Sequence, residues 1–272
     1  MSASEQMQLF YDNPVISWHE HTYGVNLGLE RLDEAKTDRT VGIMELLGVD
    51  KAVISRPIET KRCLPEIFTA ANNIIRDSIK RYPDKFYGMA YVHPGYLKEA
   101  LYEIDRCVND LGFVGIKLYY DYFMDDPAYG PIIEKCIDLD IPILQHCGHC
   151  MDSGNKKRQP LISDGVHMAN AARRYPEATF VMGHFTICEW EYSLKAIADC
   201  PNVYTDMSGS SYDCPQMEKA VQLLGADRIL FASDNSWVTC VGKLLAADIS
   251  DEDKKTILRG RAFERFLERK GR

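Results

Sequence analysis

The sequence predicts a (β/α)8 barrel (TIM barrel) as a single domain over residues 1–272, finished by a C-terminal helix. Three observations predict it. Eight short apolar runs recur at roughly 20–40-residue intervals, the spacing of successive β-α units. Stretches of helical periodicity separate them. The chain has 272 residues, close to the roughly 250 of such a barrel, and eight units of this kind favour closure over a doubly wound sheet.

The strand runs fall at residues 15–18, 52–54, 87–92, 114–118, 141–145, 180–182, 203–205 and 229–231, the first ending at His19. Their near-continuous apolar character suits parallel strands buried on both faces. Between them, Leu97, Leu101, Ile104, Val108 and Leu111 form a helical stripe with Gly112 as its stop. The last segment opens with Ser250 and carries Asp253 three residues on, in the manner of a capping box. Ile257, Leu258, Ala262, Phe263, Phe266 and Leu267 then continue one apolar face.

Composition removes several functional classes. With 46% hydrophobic and 26% charged residues, 18 Gly and 12 Pro, the chain is neither disordered nor fibrous. No apolar run approaches the roughly 18 residues of a membrane span. The first residues lack a basic-then-apolar leader, so a cytoplasmic location is expected. A net charge of −8 argues against nucleic acid, and Lys156-Lys157-Arg158 is more simply solvated surface. The nine cysteines are expected as buried thiols, not a disulfide framework. A small molecule is the expected partner, and a homo-oligomer is compatible with the chain.

The chemistry gathers where strands end. His19 and His21 lie at i and i+2, so on an extended strand both imidazoles point to one side. His146, His184 and Asp234 each follow a later strand run, and in a barrel those ends make one rim. Two or three neutral imidazoles with one carboxylate suit a divalent ion, Zn²⁺ first, with Mn²⁺, Fe²⁺ or Co²⁺ as alternatives. Such an ion lowers the pKa of a bound water toward roughly 7, and a nearby carboxylate or imidazole can handle its proton.

With GIKLYY at 115–120, VYTDMSGS at 203–210, RILFASDNSW at 228–237 and ILRGRAF at 257–263, these residues resemble the amidohydrolase-related (amidohydrolase 2) family over nearly the whole chain. The resemblance implies a metal-dependent barrel performing hydrolysis or, in some branches, nonoxidative decarboxylation. It implies that His19, His21, His146 and Asp234 bind the metal, with His184 beside the metal-bound water. Ser17 stands where the family often has an acidic residue, and Arg261 where an Asn is usual. In the wider superfamily a lysine at the place of Lys117 can be carboxylated and bridge two ions. The closer branch holds one, so one ion is expected, with Lys117 a ligand only in a binuclear site.

Other features have plainer explanations. His93 fits a loop held by the following proline turn, and His149 and His167 receive no role. Cys147-Gly148-His149-Cys150 matches a disulfide-isomerase C-x-x-C, but it follows a barrel strand instead of opening a thioredoxin helix. Arg56, with Lys61 and Arg62 after it, is either solvated or placed to grip a substrate carboxylate through a bidentate pair. Tyr119, Tyr120, Tyr122, Phe123 and Trp237 are either core or the walls of a site for a flat substrate. The function expected first is a metal-dependent hydrolase of a small amide, ester or lactone. In it Asp234 takes the proton of the attacking water, and the metal with His184 supports the oxyanion. The alternative is a decarboxylase of an aromatic or unsaturated acid held by metal and Arg56. A thiol–disulfide or metal-storage protein is a third possibility of a different class.

Overall fold

The computed structural model describes residues 3–25, 31–58, 63–148, 159–209 and 213–268. Eight parallel strands follow one another in chain order: β1 (Ile16–His21), β2 (Lys51–Ser55), β3 (Phe86–Tyr91), β4 (Gly115–Leu118), β5 (Ile143–Gln145), β6 (Phe180–Met182), β7 (Val203–Asp206) and β8 (Ile229–Leu230). Each pairs with the next in register, with helices in the connections. The ring closes where the Trp18 N–H donates to Phe231 O and the Asp234 N–H to His19 O, both at 2.9 Å. The predicted barrel is therefore the observed one. Among the described residues, no helix is long and apolar enough to cross a membrane.

β1 runs further than its apolar residues predict and carries His19, Glu20 and His21 within the strand. It is also bulged. Ser17 pairs with Ala52 but Glu20 with Ile54, so β1 spends one more residue than β2 between these pairs. A bulge of this kind breaks the strict in-out alternation and re-aims the side chains beyond it. Trp18 thus joins the apolar barrel interior, while its neighbour His19 meets Lys117 of β4 and Asp206 of β7 across the lumen. Ser17 and Glu20 fall together on the other face.

The barrel is filled in two storeys. Below, Trp18, Val53, Met89, Leu144, Val181 and Leu230 pack as one buried cluster, capped by Phe263 and Phe266. Above it, at the carboxyl ends, the lumen is lined by His19, Lys117 and Asp206, all buried. A larger apolar layer joins the outer strand faces to the helices.

The helical stripe after β3 begins as an α-helix, Leu97–Asp105, and widens to a π-helix over Arg106–Asp110 before Gly112 at φ 69°. The closing helix is interrupted. Helix Asp251–Arg259 is capped by the Ser250 hydroxyl, which accepts the Asp253 N–H at 3.1 Å and donates to its carboxylate at 2.6 Å. Gly260 then turns left-handed at φ 60°, and the chain continues as a 3-10 turn, Arg261–Phe263, and a short helix, Glu264–Leu267. The turn lets Phe263 reach Trp18, ring centroids 5.2 Å apart. A Cβ on Gly260 would overlap Trp18 Nε1. Gly260→Ala is expected to destabilise the fold by about 2–5 kcal/mol, from left-handed strain and overpacking combined. A thermal midpoint lowered by roughly 5 °C or more is the expected measurement, and an unchanged one contradicts this packing.

Candidate metal centre

The carboxyl ends of the strands bring His19, His21 and Asp234 together, with one ligand atom from each within 4.8 Å of the others. His19 Nδ1 lies 2.9 Å from Asp206 Oδ2, and His21 Nε2 lies 2.9 Å from Asp234 Oδ1. His21 Nδ1 meets the Ser55 hydroxyl at 3.0 Å, and that hydroxyl in turn faces Glu20 O at 3.4 Å. His184 Nδ1 meets Ser208 Oγ at 2.7 Å, and Ser208 Oγ donates to Asp206 Oδ1 at 2.5 Å. On its other side His184 Nε2 lies 3.0 Å from His146 Nδ1.

Letting each serine hydroxyl donate once assigns the tautomers. Ser208 spends its proton on Asp206, so His184 donates from Nδ1 and accepts at Nε2 from His146. His146 is then left with a lone pair at Nε2, a buried atom with no hydrogen-bond partner among the described residues. By the same logic Ser55 donates to Glu20 O and His21 donates from Nδ1. Its Nε2 lone pair then faces a carboxylate oxygen, two acceptors with no proton between them. A buried acceptor needs a donor or a cation, so the donor set fits a divalent ion. His19, His184 and Asp206 form a second close group, but Nδ1 of each histidine is spent on Asp206 or Ser208. His146 belongs to neither group.

The electrostatics keep His19, His146 and His184 neutral. Burial, then Lys117, lowers His19 to about 3, against the pull of Asp206. Burial, then His184 and Lys117, holds His146 well below its ordinary value. His184 is lowered by burial, with Asp234 and Asp206 opposing. Burial would raise Asp234, but its close contact with His21, and then His19 and His184, hold it far below the usual carboxylate range. Asp206 is likewise lowered, the burial that would raise it being outweighed by His19, His184 and Ser208.

Lys117 is fully buried with Nζ 2.7 Å from His19 Nε2. Burial lowers it to about 8, opposed by Asp234 and Asp206. Its direction into the lumen is a tertiary result, because a one-residue register change in β4 would have turned it outward. Arg56 directly follows β2 and is half-buried, and its Nε is buried without a partner among the described residues. The Tyr119 ring lies 4.4 Å from that of His146. Trp237 opens helix Trp237–Ala246 within the main apolar core, 5% exposed.

Sequence reasoning missed Asp206, Ser208 and Glu20. Asp206 ends β7 as Asp234 follows β8, so the strand-end rule already applied to the histidines could have found it. His93 caps the turn Pro94–Tyr96 with Nδ1 accepting the Gly95 N–H at 3.0 Å, as its loop position suggested. His167 completes a capping box with Asp164 and stacks on Phe123. Within the C-x-x-C run, Cys147 is buried and its thiol is pushed up by burial, the opposite of a redox nucleophile. His149 and Cys150, like Lys61, Arg62, Lys156, Lys157 and Arg158, lie outside the described residues.

The amidohydrolase family's sequence profile matches residues 50–261. A gamma-resorcylate decarboxylase of Rhizobium radiobacter is 29% identical over 128 residues, covering 40% of this chain but only 38% of that enzyme. One from Polaromonas is 23% identical over 252 residues, covering 72% of this chain and 76% of the enzyme. The structure of a Rhizobium 2,6-dihydroxybenzoate decarboxylase superposes with a TM-score of 0.74 at 20% identity, over 94% of this chain and 99% of the other. A 5-carboxyvanillate decarboxylase from Novosphingobium aromaticivorans, crystallised with manganese, gives 0.72 at 19% identity, over 98% and 99%. These comparisons overturn the expectation of a hydrolase of small amides, esters or lactones, because the relatives named are decarboxylases. The rim residues do not separate the two reactions, since one barrel hosts many chemistries. The matched span, 50–261, covers most of the chain, and the chain belongs to the amidohydrolase family.

Proposed function

We propose that this chain is a metal-dependent decarboxylase that removes CO₂ from a hydroxylated aromatic acid. One observation carries the proposal: the imidazole–carboxylate cluster of His19, His21 and Asp234 lies at the same strand ends as Arg56, whose buried Nε has no partner among the described residues. The relatives' substrates, hydroxylated benzoates by name, support it. His19, His21, His146 and Asp234 would hold the ion, and Lys117 would join only if there were two. When bound, the ion supplies positive charge that holds the substrate's oxygens and draws electron density from the ring. Zinc suits an imidazole-rich set, whereas a neighbour holds manganese, and elemental analysis of the purified protein separates them.

The remaining work falls to the chain's own groups. Arg56 grips the carboxylate with its planar fork, and Tyr119, beside His146, flanks the ring. His184, oriented through Nδ1 by Ser208 and with Asp234 Oδ2 3.9 Å away, relays a proton from water to the carbon bearing the carboxylate. The C–C bond then breaks, its electron pair restores the ring, and CO₂ leaves. Buried thiols such as Cys107 and Cys136 support a cytoplasmic location.

The test is headspace CO₂ across a panel of mono- and dihydroxybenzoates with the metal-loaded protein. Release from at least one is expected, and none from any overturns the proposal. On the best substrate, Arg56→Lys is expected to raise KM about 10-fold through loss of one charged hydrogen bond. An unchanged KM removes Arg56 from the site.

A further inference from the structure

We infer that Glu20, the residue between the two histidines of β1, is a positioning residue that holds Asp234 against His21. The geometry stands on the fold, and its consequence for an ion rests on the metal-centre proposal. The bulge in β1 turns Glu20 away from the lumen, where it is fully buried. Its carboxylate collects four donors. Oε1 accepts from Ser17 Oγ at 2.5 Å and the Ser233 N–H at 2.9 Å. Oε2 accepts from Ser233 Oγ at 2.8 Å and the Asn235 N–H at 2.7 Å.

Ser233 and Asn235 flank Asp234, so one carboxylate grips the backbone on both sides of it. Among the described residues, no other side chain grips both sides. β8 ends at Leu230, and the other ties are the Asp234 N–H to His19 O at 2.9 Å, the Ser236 N–H to Ser233 O at 2.8 Å, the Cys240 thiol to the same oxygen at 3.6 Å, and two long contacts, 3.4 and 3.5 Å, between the Asn235 amide and the His21 backbone. The grip matters because Asp234 and Asn235 are left-handed at φ 50° and 59°, a conformation that Asp and Asn tolerate better than other residues with a Cβ but still at a cost relative to ordinary backbone. Released, this segment would relax toward ordinary backbone and carry the Asp234 carboxylate off its 2.9 Å contact with His21.

The arrangement discriminates sharply between a carboxylate and an amide. Each oxygen of Glu20 faces one hydroxyl, which can reverse its role, and one backbone N–H, which cannot. In Glu20→Gln the NH₂ must therefore oppose the N–H of either Ser233 or Asn235, whichever way the amide turns.

The experiment competes Mn²⁺ from the metal-loaded protein with a chelator of known affinity, and measures kcat, KM, thermal midpoint and hydrogen exchange. Glu20→Gln is expected to weaken Mn²⁺ binding by about 10–100-fold, as an outer partner of a ligand does, and to lower kcat while KM is kept. A lowered midpoint with unchanged Mn²⁺ affinity overturns the inference and leaves Glu20 a structural residue. Exchange in the unmodified protein keeps the idea testable if the variant does not fold. There the Ser233 and Asn235 amides should be protected, and exchange at open-loop rates overturns the inference. Asp234→Asn separates the two proposals. If that variant holds Mn²⁺ as tightly as the parent, the metal-centre proposal fails, while protected amides at 233 and 235 would still show the grip.

Discussion

Replacing both His19 and His21 with alanine is expected to strip the ion and reduce CO₂ release at least about 10³-fold, beyond the 10–100-fold usual for an outer-shell change. Both imidazoles are oriented by partners that the change leaves in place, Asp206 for His19 and Ser55 for His21. The apolar storey below them, from Trp18 to Leu230, is untouched, so the barrel should stay folded with a near-parental circular dichroism spectrum. Elemental analysis should find one ion per chain in the parent and none in the double variant. A double variant that retains a stoichiometric ion after dialysis refutes the assignment. Two ions per chain in the parent, falling when Lys117 is replaced by alanine, would bring Lys117 in as a bridging ligand instead.

His184→Asn should behave differently, keeping the ion and losing about 10²–10⁴-fold in kcat, the contribution of a positioned acid–base group. The reason lies in its bonds. His184 lies outside the His19–His21–Asp234 group, with Nδ1 engaged by Ser208 and Nε2 by His146, and a proton can pass through the ring between them. Asparagine can keep one of these hydrogen bonds but cannot carry the proton. Metal content measured beside kcat decides the matter. If His184→Asn loses the ion as completely as His146→Ala, His184 is a ligand and the division of labour is wrong.

Much of this was legible along the chain. The eight strand runs were visible because strands buried on both faces must be apolar throughout, and the strand ends then pointed to His146, His184 and Asp234. Boundaries were less legible: β1 continues through His19-Glu20-His21 because polar residues at a barrel mouth are paired across the lumen, which no local pattern records. The closing helix was read as continuous, since its apolar period survives the break at Gly260. Only the approach of Trp18 shows why the chain turns there.

The sequence by itself determined the barrel, the family and the residue types at the rim, because periodicity and strand-end position are local properties. It could not determine the reaction, since hydrolysis and decarboxylation draw on the same donors. Tertiary structure alone decided which groups meet. The bulge that sends Trp18 and His19 to the same side, Lys117 turned into the lumen, Asp206 beneath His19, and Glu20 joined to residues 213 positions away all depend on register and ring closure. Those are set by packing between strands distant in sequence, so no window along the chain contains them.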